Sequence, residues 1–326
     1  MAALRSNIYG WLKLAKAQVP VLRRTRLLKK SPIAHDYFGR PIHTALDGNT
    51  FLREHLNQSS SFSAGKIGSA ELEVLVKYHN SDGNPDTFFN SVERGHELQF
   101  LHVNSGVFPK DMSTTVYWAR IYLAALAQMS FIGIWFNESE DIIVHEYAQN
   151  STLIRDTGLE PYYHQQPWSQ ALEGKRVLVV TPFTDSIQHQ YYNKGGAKLF
   201  PNNPQTLPEF ELLVIRAPLS PALARPEHDS WHSALVDLKQ QMACSEWDVC
   251  IVGAGAYSIP LCGYARADLK RAAIHMGGGT QLLFGVRGRR WEGHEVIQGL
   301  FNEHWIRPLD HETPRRKWKI EGGAYW

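Results

Sequence analysis

The sequence predicts an α/β protein with a Rossmann-like, doubly wound and mostly parallel sheet. Short apolar runs without polar alternation recur along the chain, as in strands that are buried on both faces. Stretches with helical apolar spacing separate these runs, which is the pattern of βαβ units. Glycine-rich turns follow several of the runs, where such sheets bind ligands. The predicted strands cover residues 63–67, 131–136, 176–180, 210–216, 249–252 and 272–275.

The predicted helices have apolar residues on one side, as expected for helices that pack on a sheet. In the helix over 71–78, Leu72 and Leu75 can face a core, and Ser69 is a candidate N-cap. Glu71 then lies in the first turn, where the helix dipole favours a carboxylate. The other predicted helices cover 114–129, a segment from about 186, 230–242 and a segment from about 258.

Residues 1–60 are predicted to form a basic N-terminal extension and linker ahead of one α/β domain, 61–326. Residues 1–30 contain eight Lys or Arg and no acid; the other 296 residues hold 26 Lys or Arg against 32 Asp or Glu, a net charge of −6. Ile8, Trp11 and Ala15 recur at helical spacing, which predicts a short basic amphipathic helix. This helix could lie on an anionic membrane, dock on the body or be a disordered arm. Residues 31–60 predict a linker with one short helix around 51–56.

Charge and cysteine usage limit the possible classes of function and location. The acidic body has no basic stripe with interleaved aromatics, which argues against nucleic acid as a partner. Cys244, Cys250 and Cys262 are odd in number and lack C-x-x-C spacing, which is typical of a reducing compartment. The longest low-charge run, 121–136, is shorter than the ~20 residues of a membrane span. We therefore expect a cytoplasmic protein, with peripheral contact at the inner membrane face as the remaining possibility.

Two glycine turns follow neighbouring predicted strands. Gly253 and Gly255 supply two of the three glycines of the dinucleotide fingerprint, and Ser258 stands in the third place. Backbone amides in such a turn can hold a phosphate, whereas the carboxylate that NAD binding requires about 20 residues later is missing. Gly277 and Gly278 follow the strand that ends at His275 and would allow close approach of a ligand or a sharp loop. Both turns also fit tight packing of a helix on the sheet.

Two carboxylates follow predicted strands and are candidates for chemistry. Glu71 could act as a base, bind a metal or hold a sugar hydroxyl, or it could only neutralise the helix dipole. Asp185 could contact ligand hydroxyls or cap a helix. The chain has neither a G-x-S-x-G elbow nor a G-x-x-x-x-G-K-[ST] loop, so neither a serine hydrolase nor a P-loop enzyme is indicated.

The segment Lys66-Ile67-Gly68-Ser69-Ala70-Glu71, followed by an apolar helix, resembles the R-x-G-D-G-E element of the GT-D class of bacterial glycosyltransferases. Lys66 stands where that element has Arg, and Ser69 where it has Asp, so Glu71 alone carries over from the D-x-E motif. The resemblance covers about residues 60–295. Later segments are similar in order and spacing to a branch associated with surface-polysaccharide synthesis, and they cover 177–187, 207–212, 247–256 and 273–278.

The resemblance implies a glycosyltransferase that moves a sugar from a nucleotide diphosphate donor to a cell-surface polysaccharide or lipid-linked acceptor. The candidate catalytic residues are Glu71, which would act near the reacting sugar, and Asp185, which would act near donor or acceptor hydroxyls. Mn²⁺ or Mg²⁺ bound by Glu71, the remaining motif carboxylate, is one possibility for a cofactor, and a metal-independent reaction is the other, because Ser69 replaces the motif Asp. The alternatives are a non-catalytic nucleotide-sugar-binding or scaffold protein of the same pathway and a nucleotide-dependent oxidoreductase. The expected contacts of the nucleotide-sugar are Lys66, Gly68, Ser69, Gly253, Gly255, Ala256, Tyr257, His275, Gly277 and Gly278.

Overall fold

A nine-stranded, mostly parallel sheet organises the protein. The computed structural model describes residues 34–82, 84–92 and 96–326. The strand order is β1-β2-β5-β4-β3-β9-β8-β6-β7; β1 pairs antiparallel with β2, and the remaining pairs are parallel. This confirms the α/β class. The strands are β1 Asp36–Tyr37, β2 Arg40–His43, β3 Ser63–Gly65, β4 Phe131–Ile134, β5 Thr152–Arg155, β6 Arg176–Thr181, β7 Glu211–Arg216, β8 Val249–Val252 and β9 Ala272–His275.

Helices connect most of these strands, and the predicted ones are present with small shifts at their ends. None of the helices in the described part of the chain is long and apolar enough to cross a membrane. The helices are α1 Ala45–Asn57, α2 Ser69–Asn80, α3 Pro85–Val92, α4 Glu97–Phe100, α5 Met112–Leu126, α6 Glu140–Tyr147, α7 Thr184–Asn193, α8 Gly195–Leu199, α9 Trp231–Cys244, α10 Ser258–Ala267, α11 Gly279–Leu283 and α12 Glu295–Gln298.

Two apolar cores lie on opposite faces of the sheet. Along β6, Val177 and Val179 belong to one core, whereas Leu178 and Val180 belong to the other. Helices α2, α5, α9 and α10 bury their apolar sides in the core that contains Leu178, and α1 contributes to the core that contains Val177. Because both faces are covered, the interior positions of the central strands are mostly apolar, which explains the apolar runs in the sequence.

Much of the predicted linker belongs to the α/β fold, as two strands and one helix. β2 pairs with β5, and α1 packs against the segment after β5, so the ordered structure begins well before residue 61. α1 starts at Thr44, whose side chain accepts from the Asp47 amide while the Asp47 carboxylate accepts from the Thr44 amide. The linker prediction for 36–57 is therefore wrong, because polar and glycine residues in this stretch serve as caps and turns rather than as a flexible connection. The predicted amphipathic helix of residues 1–30 lies outside the described residues.

The order of the strands places several loops around one crevice. From β3 the chain runs outward through β4 to β5 on one side of the sheet. On the other side of β3, the neighbouring strands are β9, β8, β6 and β7, in that spatial order. The carboxyl ends of β3, β8 and β9 therefore lie side by side at the centre of the sheet. In open parallel sheets a crevice forms where connections depart in opposite directions from adjacent strands.

Candidate functional site

A cavity of about 420 Å³ lies at the carboxyl ends of the strands. The loops after β3 to β9 line it, and residues 290–291 and 320–326 cover it from the other side. The cavity unites nine of the predicted site residues from three separate parts of the sequence. These are Lys66, Gly68, Ser69, Glu71, Gly253, Gly255, His275, Gly277 and Gly278.

Glu71 is a buried carboxyl in the lining of this cavity. It is the third residue of α2 and only 7% exposed. Its carboxylate folds back against Gly68, where a Cβ would clash with it. Gly68 is the N-cap of α2, so the prediction of Ser69 as the cap is wrong by one residue. Burial raises the pKa of Glu71, and hydrogen bonding to the Ser105 side chain opposes the shift only in part.

Lys66 is engaged by a carboxylate that the sequence analysis missed. Its Nζ lies 2.7 Å from Oε1 of Glu160, and the two side chains are 7% and 13% exposed. The same ammonium lies 4.6 Å from the centre of the Trp135 ring. Nearby Asp156 also lines the cavity, and partial burial raises its pKa against the opposing effect of Lys66. A phosphate at Lys66 would therefore compete with Glu160 for the ammonium.

Glu140 holds the loop that presents Trp135 to the cavity. Its carboxylate accepts hydrogen bonds from the backbone amides of Trp135 and Asn137 and from the hydroxyl of Tyr37. Burial raises the pKa of Glu140 to about 7 in spite of these donors. The indole N–H of Trp135 is buried without a hydrogen-bond partner among the described residues. Such a donor in a cavity wall can serve a ligand oxygen.

His275 ends β9 in the floor of the cavity. Burial lowers the pKa of His275 to about 4, with a further lowering by Lys66, so the ring is neutral at pH 7. Nδ1 lies 3.0 Å from the carbonyl oxygen of Val252 and 3.1 Å from the amide nitrogen of Gly277. One neutral tautomer donates to Val252 and the other accepts from Gly277. His275 therefore ties the turn after β9 to the end of β8.

Most of the glycines that were predicted to bind a ligand instead allow other parts of the chain to pack closely against the backbone. A Cβ at Gly253 would clash with Thr280, one at Gly255 with the Ser105 carbonyl oxygen, and one at Gly278 with the Tyr325 ring. Gly277 has a φ of +59° and no atom outside its chain neighbours within 3.6 Å of where a Cβ would lie. Close packing thus explains Gly253, Gly255 and Gly278, whereas the turn at Gly277 leaves space beside Lys66 and His275.

Three predicted site residues lie outside the cavity lining. Ala256 is fully buried, and the Tyr257 ring stacks on Trp231 at 5.4 Å between centroids, so both pack in the core. Asp185 lies in the first turn of α7 and pairs with Arg216 at 2.8 Å and with His311 at 2.7 Å. The structure therefore gives Asp185 an ion-pair role at a helix start, outside the lining of the cavity.

A group of three potential metal ligands contains Asp185, His311 and Glu312. Glu312 accepts hydrogen bonds from the amides of Asp185 and Ser186 at the start of α7. The Arg216 guanidinium bonds to Asp185 and lies 3.6 Å from Glu312. Because Arg216 and the backbone amides already engage both carboxylates, the group forms an ion-pair and hydrogen-bond network. No such group of three includes Glu71 in the described part of the chain.

The cavity also contains residues that sequence analysis did not select. Trp135, Asp156 and Glu160 follow β4 and β5. The strand β5 was not predicted, because four residues bounded by polar ones give little periodicity. Its apolar pair Leu153 and Ile154, with Asp156 two residues later, is the one local signal that could have located this carboxylate. The cover at 320–326 has no such signal, since only folding brings it to the sheet.

Comparison with protein-family models, curated proteins and solved structures gives no match. The functional argument therefore rests on the cavity and on the residues that line it.

Proposed function

We propose that the protein is a glycosyltransferase that moves a sugar from a nucleotide diphosphate donor to a surface-polysaccharide or lipid-linked acceptor. The observation that carries this proposal is the buried carboxyl of Glu71 in a cavity at the carboxyl ends of β3, β8 and β9. We interpret the sheet as Rossmann-like, since nucleotides bind at such a reversal of strand order. The resemblance of 66–71 to the GT-D element supports the same assignment.

In this proposal Glu71 is the general base. A carboxylate with a raised pKa accepts a proton more readily than an ordinary one. The acceptor oxygen bonds to the anomeric carbon, the bond from that carbon to the donor phosphate breaks, and the acceptor proton passes to Glu71. The leaving diphosphate keeps the electron pair. The Gly255 amide and Arg290 line the same cavity and would stabilise its charge, with Arg290 exchanging its contact with Glu321 for the diphosphate.

The remaining lining suits a sugar. Asp156 and Glu160 offer carboxylate oxygens to hydroxyl groups, and Tyr163 and Trp291 offer aromatic faces to the C–H surface of a pyranose. Because no described group of three ligands includes Glu71 and Ser69 replaces the motif Asp, we propose a reaction that does not depend on a divalent metal.

A second candidate is a protein that binds a nucleotide-sugar without catalysis. The observation that favours it is the 2.7 Å contact between Lys66 and Glu160. This ion pair already engages the ammonium of Lys66, which is the cation of the 66–71 segment that contains Glu71. For either candidate we propose a cytoplasmic location, with residues 1–30 as a possible contact to anionic membrane.

Thermal-shift measurements with UDP-, GDP-, dTDP- and CMP-sugars and with NAD(P), each with and without Mn²⁺, test the ligand class. A shift with NAD(P) alone would reject both candidates in favour of an oxidoreductase. Donor hydrolysis is then compared for the wild type, Glu71→Gln and Glu73→Gln, where Glu73 is the exposed carboxylate on the same helix. We expect loss of turnover only in Glu71→Gln; donor binding without turnover in the wild type selects the second candidate.

A further inference from the structure

Residues 315–319 form an exposed patch that is both basic and aromatic, here called the 315–319 patch. Trp318 is 58% exposed, an unusual environment for an indole in the described part of the chain. Lys317 lies 5.3 Å and Arg289 5.6 Å from the centre of its ring. Cations therefore flank the indole. The other members of the patch are Arg315, Arg316 and Lys319, all exposed.

The positive charge of the patch is not neutralised by its surroundings. Arg315, Arg316, Lys317 and Lys319 form no ion pair with any residue that the structure describes. The preceding carboxylate, Glu312, is fully buried and occupied at the start of α7. Neighbouring cations behave differently, since Arg290 pairs with Glu321. Within the part of the chain that the structure describes, four cations in five residues are thus left for an external anion.

The patch adjoins residues that line the cavity. Ile320 and Glu321, which follow it directly, line the cavity, as does Arg290. The Trp318 ring packs on Gly323, where a Cβ would lie 2.9 Å from it, and Arg289 donates to the Gly322 carbonyl oxygen at 3.0 Å. The patch and the cover of the cavity are therefore one packed unit.

We propose that the 315–319 patch docks on an anionic membrane surface and so holds the adjoining cover of the cavity close to the lipid headgroups. Tryptophan favours the membrane interface, and clustered Lys and Arg bind anionic headgroups. A membrane contacts only this face of the protein, so the rest of the body, which gives residues 31–326 their net charge of −6, remains in solution. A nucleic acid that wraps around the protein would instead contact this acidic surface and be repelled by it. The docking does not depend on glycosyl transfer.

The test is co-sedimentation of the full chain with phosphatidylcholine vesicles that contain either no anionic lipid or 30% phosphatidylserine, about the proportion that gives a marked negative surface potential. One variant replaces the four cations, R315Q/R316Q/K317Q/K319Q, and another is Trp318→Ser. The matched control, K110Q/K198Q/R225Q/K270Q, removes the same charge from exposed cations elsewhere. Hydrogen exchange of residues 313–320, with and without vesicles, reports whether this segment is the contact.

We expect binding to anionic vesicles only, a loss of at least tenfold in both patch variants, little change in the control, and protection of 313–320. Each basic residue at such a surface contributes on the order of fivefold in partitioning. Wild-type binding in the patch variants, an equal loss in the control, or no protection of 313–320 would each overturn the proposal. Failure of the wild type to bind anionic vesicles would also overturn it, and this holds even if a DNA or RNA oligonucleotide binds through the same cations. Donor-binding assays on the same variants test the glycosyltransferase proposal separately.

Discussion

Lys66 and Glu160 join the ends of β3 and β5 across the intervening β4, with 2.7 Å between Nζ and Oε1. Trp135, which follows β4, lies beside the ammonium. The pair is largely shielded from water, so each charge depends on the other. It therefore fixes the relative positions of two loops that line the cavity and sets how much positive charge the cavity can offer to a ligand.

Breaking this ion pair from one side should destabilise the fold. We expect Lys66→Met to lower the free energy of unfolding by about 3 kcal/mol, because Glu160 is left buried without its cation. The double variant Lys66→Met/Glu160→Leu should recover most of this loss. Urea unfolding of the single and double variants measures both effects. Glu246→Gln, which breaks the exposed contact with Arg176, is the control and should cost much less than Lys66→Met; equal losses in both would contradict the burial argument.

Glu71→Gln should abolish transfer while increasing stability at neutral pH. The folded state raises the pKa of this carboxyl, so it holds the proton more tightly than the unfolded chain does. The wild type therefore loses stability as pH rises through and above the unfolded pKa, and the glutamine variant does not. Unfolding curves from pH 4 to pH 8 should show a widening advantage of the variant. An advantage that narrows with rising pH would show that the buried form is the charged one.

Turnover of the wild type should depend on the same proton. If Glu71 is the base, the rate rises with pH through a pKa above the ordinary value for a glutamate. Donor-saturated initial rates between pH 4 and pH 8 measure this limb. Glu73→Gln keeps the profile, whereas a profile that is flat across this range would remove Glu71 from the base role.

His275 should make the fold sensitive to mild acid. Its pKa is lowered to about 4 in the folded state against about 6.5 in an unfolded chain. The unfolded state therefore binds the extra proton first, and stability falls as pH drops from about 6.5 to 4, by about 3 kcal/mol in total. His275→Asn, whose side-chain oxygen can still accept from the Gly277 amide, should show a shallower slope. Parallel slopes for the two proteins would mean that another group titrates.

The cavity should prefer a neutral sugar to an acidic one. Lys66 pairs with Glu160 and Arg290 with Glu321, which leaves Glu71 and Asp156 without a matching cation in the lining. A uronic acid carboxylate would meet this negative field, and we expect its nucleotide donor to bind at least about tenfold more weakly than the neutral hexose donor. Calorimetric titration measures both affinities. Asp156→Asn should reduce the ratio, whereas tighter binding of the uronic acid would contradict the charge balance described here.

Asp185 and Glu312 should affect stability rather than donor binding. Asp185→Asn changes an exposed ion pair and should cost less than about 1 kcal/mol. Glu312→Ala removes a buried acceptor from the amides of Asp185 and Ser186 and should cost about 2 kcal/mol. Thermal unfolding compares the two variants. Loss of donor affinity in Asp185→Asn, with the fold intact, would return Asp185 to the site.

Local patterns were sufficient for the strands and helices whose residues are apolar throughout or on one side. The strands at 176–181, 249–252 and 272–275 were predicted almost to the residue, because burial on both faces makes their interior positions apolar and leaves polar residues only at their ends. β2 and β5 were missed. Each has four residues and lies toward the edge of the sheet beyond β4, where flanking polar residues conceal the short apolar stretch.

The site was predicted in outline because strand ends in a parallel sheet share one edge. That rule places Glu71, Gly253, His275 and Gly277 together from sequence alone. It says nothing about which side chains meet across that edge. Ala256 and Tyr257 follow the same turn as Gly253 but point into the core, and Asp185 turns toward Arg216 and His311.

The sequence by itself determined the α/β class, most of the elements and the end of the sheet where ligands would bind, since these follow from hydrophobic periodicity and from the direction of parallel strands. Only the tertiary structure decided that Lys66 pairs with Glu160, that Glu71 is buried, and that Trp291 and Tyr325 pack against Gly278. Each of these contacts joins residues distant along the chain. Their energies depend on burial and on interatomic distance, which local sequence patterns do not encode.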